Sequence, residues 1–366
     1  RDRVEAAFEQ CAVVFENSYQ TPFIEHAFIE PEAGLGIPDE DGGVTIKIGT
    51  QCVFDDRTQL SEVLALPEEK IRVVQMPIGG AFGAKEDILM HQFLALGALR
   101  TGRPVKIVFT RQESLRTHPK RHRAWMRFKT GADKDGHLLA VKADIVADTG
   151  AYASLGVDVL ENMLVFACGP YYVPNVRLEG WAWYTNNMPA GAMRGFGVPQ
   201  VAFALETQMD MMARALKKDS FEFRYLNGLA TDLPTAADHV LEPGVAGIKE
   251  TIVAAREALK KTSLPERTGT KKVGIGVACG VKNIGFGHGF PESAGAIVKL
   301  KADGSVQLFV THHEYGQGAL TAQAQLVAAE LGVPFQRIEV QTPHTALTPP
   351  TGPTTASRQT FLTGNA

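Results

Sequence analysis

Cysteine is scarce in this chain: four in 366 residues, Cys11, Cys52, Cys168 and Cys279, none forming a Cys-x-x-Cys pair. Spacing therefore argues for neither a zinc site nor an iron–sulfur cluster, and a reduced, cytoplasmic protein is the simplest expectation. Long apolar runs are also missing. None reaches the ~18 residues a membrane span needs, and the opening RDRVEAAFEQ lacks the pattern of a signal peptide. Nor is there an excess of charge of one sign, since 37 basic against 40 acidic residues leave a formal net charge of -3. The molecule as a whole attracts neither nucleic acid nor an anionic membrane. One stretch, residues 100–129, concentrates positive charge without any nucleic-acid motif, and reads as a solvated or subunit-facing surface.

What is present is a 45% hydrophobic, 21% charged composition, enough apolar mass for two cores. Composition places a first domain at 1–235, a connecting segment at 236–272 and a second domain at 273–366 that reads as incomplete. The charged start and the stop at FLTGNA read as a fragment or one part of a split subunit. Strands are expected at 44–49, 70–76, 105–110, 123–129, 138–147, 273–279, 293–301 and 305–311. Helices are expected over Lys85–Arg100, after Pro199 with Val201, Leu205, Met209, Met212 and Leu216 along one face, and after the glycines near 316.

Three glycine loops recur in the order strand or irregular segment, loop, helix: GGAFGAKED at 79–87, AMRGFGVPQ at 192–200 and HHEYGQG at 312–318. The first is not a P-loop, because its lysine follows alanine and precedes Glu86, and it lacks G-x-G-x-x-G spacing. A plain turn explains one such loop. It does not explain the phenylalanines set among glycines, Phe82, Phe196 and Phe286, which offer flat faces beside bare backbone N–H groups. Helix N-termini add a partial positive charge suited to oxyanions. His312 and His313 lack the i, i+4 spacing of a helical ligand pair and read as loop or strand-end residues.

Together these loops resemble those of the molybdenum hydroxylases, the xanthine dehydrogenase and aldehyde oxidase family. GGAFGAKE resembles GGGFGGKE, AMRGFGVPQ resembles AFRGFGGPQ and EYGQG resembles EMGQG, and EHAFIEPE, TGRPVK, YYVPNVR and PTTASRQ follow the family's order. The resemblance implies an α+β fold of two mixed α/β domains with a molybdopterin cofactor in a cleft between them. The cofactor would be plain or a cytosine dinucleotide, with its molybdenum held by the pterin and not by a protein side chain. In this likeness Gln51, Phe82, Gly83, Arg194, Gln317, Thr354, Thr355, Ala356 and Ser357 contact the cofactor, and the glycines of 79–83 make way for the metal centre. Glu86, Asn162, Phe196 and Phe286 face substrate.

The family's chemistry joins metal activation to a general-base glutamate. That glutamate belongs to a C-terminal motif absent here, so no catalytic residue is assigned and the chain alone is expected to be inactive. The resemblance implies hydroxylation of a purine-like N-heterocycle or an aldehyde with water-derived oxygen. Heterocycles are favoured because Glu86 is present, although Asn162 stands where purine-oxidising members carry arginine. Electrons would leave through 2Fe–2S and FAD groups on partner chains or domains, in a complex expected to be a homo-oligomer together with the rest of the molybdopterin domain. The alternative is a non-catalytic scaffold or assembly subunit that retains the fold.

Overall fold

The computed structural model describes residues 2–265, 268–287 and 289–366. They form two compact units that interleave along the chain, one built from 1–24, 122–190 and 195–282, the other from 25–121, 191–194 and 283–366. Among the described residues no helix is long and apolar enough to cross a membrane.

The first unit is a four-stranded sheet in the order β1 (Val13–Thr21), β6 (Arg123–Ala132), β7 (Leu138–Gly150), β8 (Asn175–Tyr184). The first three are antiparallel and β7 pairs β8 in parallel. In β6 the alternation of the sequence sends Ala124, Met126 and Phe128 to one face. Helices α5 (Gly156–Val165) and α6 (Val198–Ala215) close that face with Val159, Met163, Val201, Leu205, Met209 and Met212. Pro199 lies in the first turn of α6 as expected. α1 (Asp2–Glu9), α7 (Ser220–Asn227) and α8 (Ile248–Lys261) complete the unit.

The second unit repeats one motif. An antiparallel hairpin, β2 (Ala33–Pro38) with β3 (Val44–Ile48), continues through helix α2 (Val53–Leu64) into β4 (Ile71–Gln75), which lies parallel to β3. Likewise β9 (Ala296–Leu300) and β10 (Val306–Val310) pair antiparallel, and helix α9 (Ala319–Leu331) leads to β11 (Ile338–Gln341), parallel to β10. The edge strand β5 (Val105–Val108) pairs β2, and α3 (His91–Thr101), α4 (Arg111–Thr117) and α10 (Gln359–Asn365) flank the sheets. The motifs are joined where Val74 bridges His344 and the Gln75 N–H donates to Pro343 O at 3.0 Å. Ligand sites in α/β sheets gather at the carboxyl ends of parallel strands. In this unit those ends are the loops after Ile48, Gln75, Val310 and Gln341.

Several expectations are corrected. The helix expected from Lys85 begins at His91, because the backbone of 85–86 bonds across to another loop: Lys85 O accepts from the Gln51 N–H at 2.9 Å and Glu86 O from the Cys52 thiol at 3.1 Å. Residues 273–279 form no strand; a Cβ on Gly274 or Gly276 would meet nothing within 4 Å, and Ile275 is exposed. α5 lies in the irregular stretch 149–176, where glycines and prolines obscured the periodicity, and no strand was expected at β8. The basic run at 100–129 is not wholly solvated, since His118, Lys120, Arg121 and His122 are buried.

Candidate functional site

At the end of β3, Gln51 is buried and its carboxamide links three loops. Its Oε1 accepts the Gly83 N–H at 3.0 Å, while Nε2 donates to Glu86 Oε1 at 3.3 Å and to Thr354 O at 3.2 Å. The Thr354 N–H returns a bond to Gln51 O at 2.9 Å, and Tyr315 Oη donates to Thr354 O at 2.9 Å. Five positions singled out from sequence, Gln51, Gly83, Glu86, Thr354 and Thr355, are thus in one hydrogen-bonded group, Thr355 through its bond to Glu86.

Glu86 is the unusual member. Burial raises its carboxyl from the ordinary 4.5 to about 8, the charges of Asp87 and Asp55 push the same way, and bonds from Thr355 and Gln51 only partly oppose them. The shift favours its neutral form well above the ordinary carboxylate range, and in that form it can both donate and accept.

Four non-glycine residues in the named loops have left-handed backbone: Phe82 (φ 57°), Phe196 (φ 46°), Ala356 (φ 51°) and Ser357 (φ 53°). Such conformations cost ~1–3 kcal/mol each and cluster at functional sites. Phe82 is exposed, and its carbonyl accepts the Arg194 N–H at 2.9 Å, so that N–H is already engaged while the Arg194 side chain is exposed. Phe286 is half-buried with the Arg358 guanidinium 4.8 Å from its ring centre, and Gly285 N–H donates to Ala356 O at 3.0 Å.

The glycines of the first loop lie close to other segments of the protein. A Cβ on Gly79 would meet Glu30 Cβ at 2.6 Å, one on Gly80 would meet Phe28 Cβ at 3.1 Å, and one on Gly83 would meet Ala192 O at 2.8 Å. Their missing side chains let neighbouring protein atoms approach the backbone of this loop. Gly316 and Gly318, by contrast, face open space with φ of 105° and 81°. The N-terminus of α9 does not present free N–H groups to an anion as expected. Glu314 accepts from the N–H groups of Gly316 (2.8 Å), Gly318 (3.0 Å) and Leu320 (3.2 Å). Gln317 is exposed and bonds within its own loop, to the Tyr315 N–H and His313 O.

In the other unit, Asn162 is buried on α5 and its amide donates to Asp158 O at 3.2 Å. Phe196 precedes α6, and Gly197 beside it is required because a Cβ would meet Val159 O at 2.6 Å.

Sequence reasoning missed the support beneath residues 191–194. The His26 ring bonds Ala192 O through Nε2 at 2.7 Å, Arg121 donates to Arg194 O at 2.6 Å, and the Gly191 N–H donates to Lys120 O at 3.0 Å. Below lie Glu25, 2.5 Å from His118 Nε2 and 2.8 Å from Lys120 Nζ, and Glu32, 3.3 Å from His118 Nδ1. Glu25, His26 and His118 are close enough to hold a metal ion, but the Lys120 ammonium already compensates Glu25. The group is an ion network that shapes a loop.

Residues 1–228 and 248–366 each match the model of a molybdopterin cofactor-binding domain. The chain belongs to that family. It is 41% identical over 363 residues to a probable xanthine dehydrogenase component of Bacillus subtilis, covering 99% of this chain and 49% of that one. It is 44% identical over 254 residues to the nicotinate dehydrogenase large molybdopterin subunit of Eubacterium barkeri, covering 69% and 60%. The structure of aldehyde oxidoreductase from Desulfovibrio gigas superposes with a TM-score of 0.87 at 30% identity, covering 99% of this chain and 40% of that one. The chain therefore spans roughly half the length of these relatives.

The molybdopterin cofactor with its molybdenum fits the donor set found here. Around Gln51, among the described residues, stand amides, hydroxyls and backbone groups with one protonated carboxyl, and no thiolate or free imidazole. Such a set grips an organic group that brings its own metal ligands.

Proposed function

We propose that this chain is the molybdopterin-binding portion of a molybdenum hydroxylase that oxidises an N-heterocycle and passes electrons to iron–sulfur and flavin partners. When bound, the cofactor supplies a two-electron acceptor and a site for water-derived oxygen. Gln51 orients it: of its two Nε2 contacts, the 3.3 Å bond to Glu86 is the weaker and the one a cofactor atom can replace. The Phe82–Gly83 backbone and the Thr354–Ser357 stretch hold its flanks, with Arg194 and Gln317 on neighbouring loops.

Protonated Glu86 carries the reading. A neutral carboxyl donates to a ring nitrogen and accepts from a ring N–H, a pairing that a heterocycle satisfies and a simple aldehyde does not. Two of the relatives, named xanthine and nicotinate dehydrogenases, agree with that class, while the aldehyde oxidoreductase does not. Phe196 and Phe286 would stack on the ring, and Asn162 would contribute to its surroundings. The general base is expected outside this chain.

The scaffold alternative draws on one observation: Gln317 and Glu314 bond within their own loop. Metal and pterin analysis of the complete assembly decides. Molybdenum near one per assembled unit supports the hydroxylase, and a folded assembly persistently free of molybdenum and pterin supports the scaffold.

A further inference from the structure

His312 and His313 have no part in the reading above, yet His313 is fully buried beside the site. Its Nε2 accepts the N–H of Val53, first residue of α2, at 3.0 Å. Cys52, the N-cap, offers that helix no side-chain acceptor, so the imidazole satisfies an end group otherwise left bare. An accepting Nε2 leaves the ring proton on Nδ1, which points at Thr354 Oγ1 at 2.9 Å. The backbone N–H of His313 reaches the same oxygen at 2.9 Å. With both ring nitrogens engaged, His313 is not a metal ligand. Burial lowers its pKa to about 3, and the neighbouring His312 adds to this, so the ring stays neutral at physiological pH and the tautomer is set by Val53 alone.

We infer that His313 is a positioning residue for cofactor binding, which holds Thr354, and through it the Gln51 carboxamide, by a tautomer locked from helix α2. The connection runs from Val53 to His313, to Thr354, to Gln51 and to Gly83 through bonds of 3.0, 2.9, 3.2 and 3.0 Å. The inference rests on the proposed reading of Gln51 as the residue that meets the cofactor.

The ring's two roles can be separated in the complete, partner-bound enzyme. Asn in place of His313 keeps a donor near the Nδ1 position and loses the acceptor for Val53; Gln keeps the acceptor and loses the donor. H313N is expected to lower Tm while holding molybdenum through desalting and keeping the wild-type Mo(V) resonance line shape. H313Q is expected to hold Tm closer to wild type, retain several-fold less molybdenum and alter the line shape. T354V should reproduce H313Q, T354S should retain the wild-type signature, and H313Q/T354V together should be no worse than either alone. Wild-type retention and line shape in H313Q, or additive losses in the double variant, would overturn the inference. If the wild-type assembly itself holds no molybdenum, the proposed function fails and the cofactor role with it.

Discussion

Glu86 ties stability to pH with a definite sign. Its folded-state pKa of about 8 lies above the ordinary 4.5, so between those values the folded protein binds a proton that the unfolded chain has released. Its contribution to stability is greatest below pH 4.5 and declines as pH rises towards 8. E86Q removes this slope. Urea midpoints of wild type and E86Q should diverge in favour of the variant as pH is raised from 5 to 8, and a constant difference across that range would show that Glu86 titrates normally. Binding of a heterocycle that needs the neutral acid should weaken as pH passes about 8 in the wild type and lose that dependence in E86Q.

At the scale of elements, the loop after β10 holds itself. Three N–H groups at the start of α9 converge on the Glu314 carboxylate, the role an N-cap side chain plays elsewhere. E314A should cost ~1 kcal/mol or more, read as a lowered urea midpoint with unchanged m; an unchanged midpoint would mean that solvent replaces the carboxylate. The same loop marks how much was legible. The order β10, glycine loop, α9 could be read because β-periodicity switches to helical periodicity across it. The Glu314 cap could not be read, since EYGQG does not tell whether the acid turns inward. The start of α3 was misplaced because Lys85 and Glu86 are good helix formers whose carbonyls are captured by Gln51 and Cys52, more than thirty positions earlier. α5 was available in principle, with Val159, Leu160 and Met163 at helical spacing, but glycines on either side concealed it. Among the residues named from the family resemblance, the structure brings Gln51, Gly83, Glu86 and Thr354 into one hydrogen-bonded group. His26 and His118 escaped notice, since burial and pairing with distant glutamates leave no local spacing.

At the scale of the whole molecule, the proposed reading gives Phe196 and Phe286 a stacking role. F196A and F286A in the complete enzyme should each weaken aromatic substrates by ~1 kcal/mol or more, while small aldehydes change little. Steady-state kinetics with a purine, a pyridine and an aliphatic aldehyde measure this, and wild-type constants for all three in both variants would remove the stacking assignment. The most direct measurement is anomalous diffraction at the molybdenum edge from crystals of the complete enzyme. The account predicts one strong peak beside the Gln51 carboxamide and the Phe82–Gly83 backbone. A peak elsewhere, or none in a folded assembly, would contradict it.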